Sequence, residues 1–154
     1  MPEQLIEPTR ERQAAFYVAG LTVRTTSLKE SDYSTGRLRP LWNRFFDEQV
    51  YASTPHRTAD ARLFCVFSAY DSSAINAFDM TAGVAVARGD GSVRIEPGDY
   101  LVFKARGEMP NLAMDARRHV SEYLADHPSI VRRFRTDFES YDGPCEVAIH
   151  IGME

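Results

Sequence analysis

The sequence predicts an α+β domain of two β-α-β-β halves, about residues 14–90 and 91–154, sharing one antiparallel sheet with two main helices and a central cleft. Three observations carry this prediction. Strand-like and helix-like stretches follow one another in the same order twice. Both helical stretches are apolar along one side only, so each lies against a sheet. Short turn signals separate neighbouring strands, which makes them antiparallel hairpins. Few residues match between the halves, so the repeat is one of topology. A boundary between two such units is a common place for a small-molecule site.

The elements follow in order. Residues 16–26 contain Tyr17, Val18, Leu21, Thr22 and Val23 around Gly20, which reads as a strand with a bend or bulge. Residues 28–36 are polar, and Ser31, Asp32, Ser34 and Thr35 offer capping oxygens to the helix that follows. In that helix Leu38, Leu41, Trp42 and Phe45 share one face at i, i+3, i+4 and i+7, with Phe46 beside them. Pro40 suits the first turn, and the pattern runs to about Val50. Residues 62–70 form a nearly continuous apolar run, and residues 78–87 form a second strand closed by the Gly89-Asp90-Gly91 turn. Val93-Arg94-Ile95 leads through Pro97-Gly98-Asp99 into a strand from Tyr100 to Ala105. Pro110 opens the second helix, whose inward stripe is Ala113, Ala116, Val120, Tyr123 and Leu124. Residues 134–141 and 145–151 form the last hairpin around Asp142-Gly143-Pro144.

Bulk properties narrow the function. A chain of 154 residues buries a core without disulfide staples, and Cys65 and Cys145, in apolar surroundings, read as buried free thiols. The first dozen residues are charged, without a signal-peptide core, and no run reaches membrane-span length, so a cytoplasmic protein is expected. A net charge of −4 argues against a nucleic-acid-binding surface over the whole domain. The basic pairs Arg117-Arg118 and Arg132-Arg133 read as solvated faces. Asp115 and His119 stand at i, i+4 on a helix but lack a third ligand, so no metal or other cofactor is expected. Neither a phosphate-binding loop nor a dinucleotide fingerprint is present.

The stretch with most chemical content is Phe138-Glu139-Ser140-Tyr141. Alternation puts Glu139 and Tyr141 on one strand face, but leaves open whether that face is covered. Covered, Glu139 is a costly carboxylate that needs a positive or hydrogen-bonding partner; open, it is an ordinary surface acid beside Arg135 and Asp137. Register matters too. A three-residue turn sets Glu139 opposite Val147, and a two-residue turn sets it opposite Glu146.

Several short motifs, in this order and spacing, resemble the GyrI-like (gyrase-inhibitor-like) effector-binding domain attached to AraC-type and BmrR-type regulators. They are Val18-Ala19-Gly20-Leu21, Leu41-Trp42-x-x-Phe45, Ala82-Gly83-Val84, Ile95-Glu96-Pro97-Gly98-Asp99-Tyr100-Leu101-Val102-Phe103 with Gly107, and Phe138-Glu139-x-Tyr141. The last strand departs from the family pattern, with Ile149-His150-Ile151-Gly152 where an Ile-Pro-Ile-like run is usual. The resemblance implies SHS2-like halves and a pocket between them for lipophilic, often cationic, aromatic molecules, with Glu139 as its acidic base. It also implies a standalone effector domain spanning 1–154 with no DNA-binding module.

On that resemblance the expected ligand-binding residues are Glu139, Trp42, Tyr141, Tyr100, Tyr70, Phe45, Phe46 and Met80. Trp42 would stack on a planar cation, and the tyrosines would add contact area and hydroxyls. Met80, like Met109 and Met114, would adapt its shape to several ligands. On spacing alone, Trp42 reads as helix packing and each methionine as core filler. The primary expectation is a non-enzymatic receptor or sequestering protein of the multidrug-sensing type. Alternatives are a hydrolase of reactive cyclopropane-bearing toxins, with Glu139 and Tyr141 acting on water or substrate, and an interaction protein that inhibits gyrase. The expected partners are a small molecule and, beyond it, a separate regulator protein or gyrase.

Overall fold

The computed structural model describes residues 4–5, 7–32, 34–71, 76–87, 89 and 91–154, and its strand order makes the duplication visible. The strands are β1 (Gln4–Leu5), β2 (Thr9–Gln13), β3 (Phe16–Thr26), β4 (Leu63–Ser68), β5 (Ala77–Val86), β6 (Val93–Ile95), β7 (Gly98–Arg106), β8 (Asp137–Tyr141) and β9 (Glu146–Gly152). The helices are α1 (Ser27–Glu30), α2 (Leu38–Asp47), α3 (Val50–Ser53) and α4 (Asn111–Asp126). All pairings are antiparallel, in the order β1-β7-β9-β8-β4-β5-β3-β6, with β2 also on β7. Each half therefore runs outward from the central β4–β8 pair in the same way: β4, β5, β3 on one side and β8, β9, β7 on the other. The strand preceding each half crosses over. β2 leads into β3 but pairs with β7, and β6 leads into β7 but pairs with β3.

Burial follows the amphipathic patterns. On one sheet face α4 covers β7 and β9, packing Leu112 and Ala116 against Leu101, Phe103 and Ile149. On the same face α2 covers β3 and β5, with Leu41 and Phe45 against Met80 and Ala82. The opposite face holds Val18, Phe64, Val66, Tyr100 and Phe138. Fully burying a side chain of this size contributes about 1.5–3 kcal/mol, so these clusters hold the sheet and helices together. Because α4 and α2 sit over the outer strands, β8 and β4 run between them. The site lies there.

Several boundaries differ from expectation. The charged N-terminal segment forms β1 and β2, an edge without apolar alternation, and β2 is tied down where Arg10 donates to Asp99 at 2.9 Å. The first long helix stops at Asp47 rather than near Val50; Gln49 turns the chain at φ 51° and α3 starts afresh. The oxygens that meet the start of α2 come from Glu30, which accepts from the Arg37 and Leu38 N–H groups at 2.9 and 3.3 Å. Residues 134–136 precede β8 instead of belonging to it, since Phe134 has φ 54°. Asp90 of the expected 89–91 turn lies outside the described residues. Cys65 is buried, but Cys145 is exposed because it falls in the final hairpin loop.

That loop spans residues 142–145, so neither of the two expected registers forms. Glu139 stands opposite Ile149 on β9 and opposite Cys65 on β4. The neighbours are still apolar. Asp115 pairs with Arg118, and the His119 ring packs edge-on against Phe103 at 5.6 Å. Among the described residues no group of three ligating side chains is gathered, and no helix is long and apolar enough to cross a membrane.

Candidate functional site

The first, third and fifth residues of each central strand face the gap between α2 and α4. From β4 these are Leu63, Cys65 and Phe67; from β8 they are Asp137, Glu139 and Tyr141, opposite them in register. One half thus supplies an apolar strip and the other a row of acids and a phenol. Over this floor lies a cavity of about 720 Å³, within the range of small-molecule sites. Phe67, Tyr70, Phe78 and Phe134 wall it at one end, Ile149 and Ile151 extend its floor, and Arg117, Val120 and Ser121 of α4 flank it. The aromatic rings touch in sequence: Phe67 to Phe78 at 6.0 Å, Phe78 to Tyr70 at 5.8 Å, Tyr70 to Phe134 at 5.7 Å. Ala69, Asn76 and Phe134, at φ 52°, 53° and 54°, hold left-handed backbone at or beside this wall. Such conformations carry a small cost that surrounding contacts must offset.

Both carboxylates are buried, each only 2 % exposed. Each meets an arginine and a tyrosine. Arg117 Nε donates to Glu139 Oε2 and Arg117 Nη2 to Glu139 Oε1, both at 2.7 Å, a two-pronged ion pair. The Tyr141 hydroxyl donates to Glu139 Oε1 and accepts from Arg117 Nη2 at 3.1 Å. Two residues earlier, Asp137 Oδ2 accepts from Arg132 Nη2 at 2.6 Å and from the Tyr70 hydroxyl at 2.5 Å, while Oδ1 accepts from the Gly152 N–H at 2.7 Å. A buried charge left unpaired is expensive, which is why neither acid stands alone.

The electrostatics reinforce these pairs. Burial is the largest influence on Arg117 and would lower its pKa, but the Glu139 charge and hydrogen bonds, with Tyr141 and Cys65 nearby, together outweigh it and the net shift is upward. Burial, and then the neighbouring carboxylate, raise the Tyr70 and Tyr141 phenols well above their usual value, so both remain hydrogen-bond donors at neutral pH. The Cys65 thiol is pushed up for the same two reasons.

The expected solvated faces at Arg117 and at Arg132-Arg133 are therefore corrected. Arg117 and Arg132 turn inward because buried carboxylates draw them, Arg133 donates to the Pro97 carbonyl at 2.8 Å, and only Arg118 of the four is exposed. Both inward arginines line the cavity.

The structure brings some candidate ligand-binding residues together and separates others. Glu139 and Tyr70 line the cavity. Tyr141 continues the same floor and meets the Trp42 ring edge-on at 5.7 Å; Trp42 in turn contacts Phe45 and stacks on the exposed Phe46. Phe45 and Met80 are buried under α2. Tyr100 is on the opposite face of the sheet, fully buried, its hydroxyl bonded to the Glu96 carbonyl at 2.5 Å and to Thr136 at 2.9 Å.

A family profile described as integron-associated effector binding protein matches residues 11–152. Among solved structures, an integron cassette protein from the mobile metagenome of Vibrio cholerae is 26% identical, covers 100% of both chains and superposes with a TM-score of 0.83. SAV2435 bound to tetraphenylphosphonium is 15% identical over 97% of this chain and 94% of its own, with a TM-score of 0.77. A structure described as a bacterial transcription regulation protein, from Staphylococcus aureus MU50, is 18% identical over 97% and 99% of the two chains, with a TM-score of 0.75. No curated protein matches significantly.

Proposed function

The chain belongs to the integron-associated effector-binding family, and from that premise we propose that its cleft receives small, lipophilic aromatic molecules carrying a cationic group, with Glu139 taking the charge. The observation that carries this reading is the burial of Glu139 at the base of an aromatic-walled cavity. A carboxylate there is poorly hydrated, so a cation that brings its own apolar body exchanges little hydration for a strong attraction. Rings such as Phe67, Tyr70 and Phe78 offer faces to a planar molecule. The fold neighbour SAV2435, bound to tetraphenylphosphonium, supports the class of ligand.

Both Glu139 oxygens are engaged by Arg117 and Tyr141, which favours a counter-ion over a general base acting on water. The role that follows is a cytoplasmic receptor or sequestering protein of the multidrug-sensing type, with a separate regulator as the further partner. Binding of proflavine, a planar aromatic cation, followed by Trp42 quenching, tests the reading. Glu139→Gln is expected to weaken it at least tenfold; unchanged affinity would remove the charge argument.

A further inference from the structure

On the reading that a cation enters this cleft, Glu139 is already occupied. Arg117 holds both of its oxygens through a guanidinium fork, Nε to Oε2 and Nη2 to Oε1. A ligand cation at Glu139 must take that place. Exchange is feasible because the two partners are unequally enclosed: the Glu139 side chain is 3 % exposed, the Arg117 side chain 34 %. The arginine reaches in from α4 at the border of the cavity, so on leaving the acid it turns toward water and no charge is stranded in apolar surroundings. The acid has no such outlet. Tyr141 stays bonded to Oε1, but the two positions vacated by the fork need new N–H donors, because a buried carboxylate oxygen without one is costly.

We propose that Arg117 is a built-in, displaceable counter-ion for Glu139, and that the ligands which displace it best are planar N–H cations, aryl amidines and aryl guanidines, rather than quaternary ions of similar size. An amidinium presents two parallel N–H groups in the plane of an aromatic body and reproduces the departing fork. A quaternary ammonium neutralises the charge but fills neither vacated position, leaving Oε2 without a donor and Oε1 with Tyr141 alone. Arg117 also acts as a tethered competitor. It is present at high effective concentration, so the free site is populated only fractionally and apparent affinity drops by that fraction. This sets the chain apart from a simple acidic pocket, where no internal group opposes the ligand.

The test compares 2-naphthamidine with trimethyl(2-naphthyl)ammonium, each displacing the neutral fluorescent probe N-phenyl-1-naphthylamine. The amidine is expected to bind the wild type at least tenfold more tightly than the quaternary ion, and Arg117→Gln to tighten both at least fivefold. Equal affinities, or an Arg117→Gln variant that binds no tighter, would overturn the proposal. Should that variant not fold, the wild type decides. The Arg117 Nε–H gives a protected nitrogen-bound proton resonance, identified by its loss in Arg117→Lys. Saturating 2-naphthamidine is expected to abolish the protection, and its persistence overturns the exchange. If the neutral probe binds and only these arms fail, the cleft is a small-molecule site without the exchange. If the probe does not bind at all, the reading beneath the proposal has failed with it.

Discussion

Asp137 and Glu139 stand two residues apart on one strand, face the same cavity, and each pair with one arginine and one tyrosine, yet they are held differently. Asp137 is short and anchored partly by backbone: the Gly152 N–H at the end of β9 donates to one oxygen while Arg132 and Tyr70 share the other. The guanidinium of Arg132 also lies over the Phe134 ring at 4.2 Å. This network ties the segment before β8, the loop after β4 and the end of β9 together. Among the described residues Glu139 is held by side chains alone, and its arginine comes from a neighbouring helix; that arginine is 34 % exposed against 28 % for Arg132, so exposure is not the difference. The same chemistry gives a clamp in one place and an exchangeable contact one step along. What separates them is the backbone N–H and the aromatic ring that hold Asp137 and Arg132 and that the Glu139 pair lacks.

The largest expected effect tests that contrast through stability. Asp137→Ala leaves Arg132, the Tyr70 hydroxyl and the Gly152 N–H without their acceptor, and breaking such a buried pair costs about 3–5 kcal/mol. Glu139→Ala leaves Arg117 and the Tyr141 hydroxyl without their acceptor but strands no backbone N–H, so the expected loss is smaller, about 1–3 kcal/mol. Urea denaturation of the two variants against wild type measures both. Equal losses would erase the distinction between clamp and exchangeable contact.

Acid sensitivity needs its own control, because another buried titratable group, His150, lies on the neighbouring β9. His150 is stacked on Phe138 at 4.1 Å, and burial lowers its pKa to about 4. Unfolded histidine titrates near 6.5, so between about pH 6.5 and 4 the unfolded chain binds more protons than the native one. Stability therefore rises with pH across that window and falls on acidification, by roughly 3 kcal/mol in full. His150→Phe, which keeps an aromatic stack, is expected to flatten the slope of unfolding free energy between pH 6.5 and 4. A slope that survives the substitution unchanged would show that His150 is not its source.

How far the site was legible in the sequence depended on which partner was being read. The 16–26 strand and the α2 face declared themselves through apolar period, and the duplicated order predicted a gap between halves. Period alone left the exposure of Glu139 open; only the family resemblance pointed to its burial. The arginines were missed because a charged residue on an amphipathic helix reads as solvent-facing, and Arg117 meets its acid 22 residues away. One signal was available. Arg117 stands at i+4 from Ala113 and three before Val120, within the apolar stripe of α4, where a cation has to find an anion or turn away. Arg132 offered no such pattern, since it lies in an irregular segment whose contacts are set by tertiary folding.

The smallest expected effects come from the two tyrosines, and they separate structure from binding most cleanly. Tyr70→Phe removes one donor from Asp137, which keeps Arg132 and the Gly152 N–H; Tyr141→Phe removes one from Glu139, which keeps Arg117. Each acid retains a charged partner, so each substitution is expected to cost only about 1 kcal/mol by urea denaturation. Their effects on ligand affinity should diverge. Once a cation replaces Arg117, Tyr141 is the one donor that Glu139 carries from the free into the bound state, so its loss is felt more in the complex. Proflavine is therefore expected to bind Tyr141→Phe several-fold more weakly than wild type and Tyr70→Phe within twofold of it. A Tyr70→Phe variant that loses as much affinity as Tyr141→Phe would place Asp137 in the binding site alongside Glu139, and the two acids would then form one site instead of a clamp and a contact.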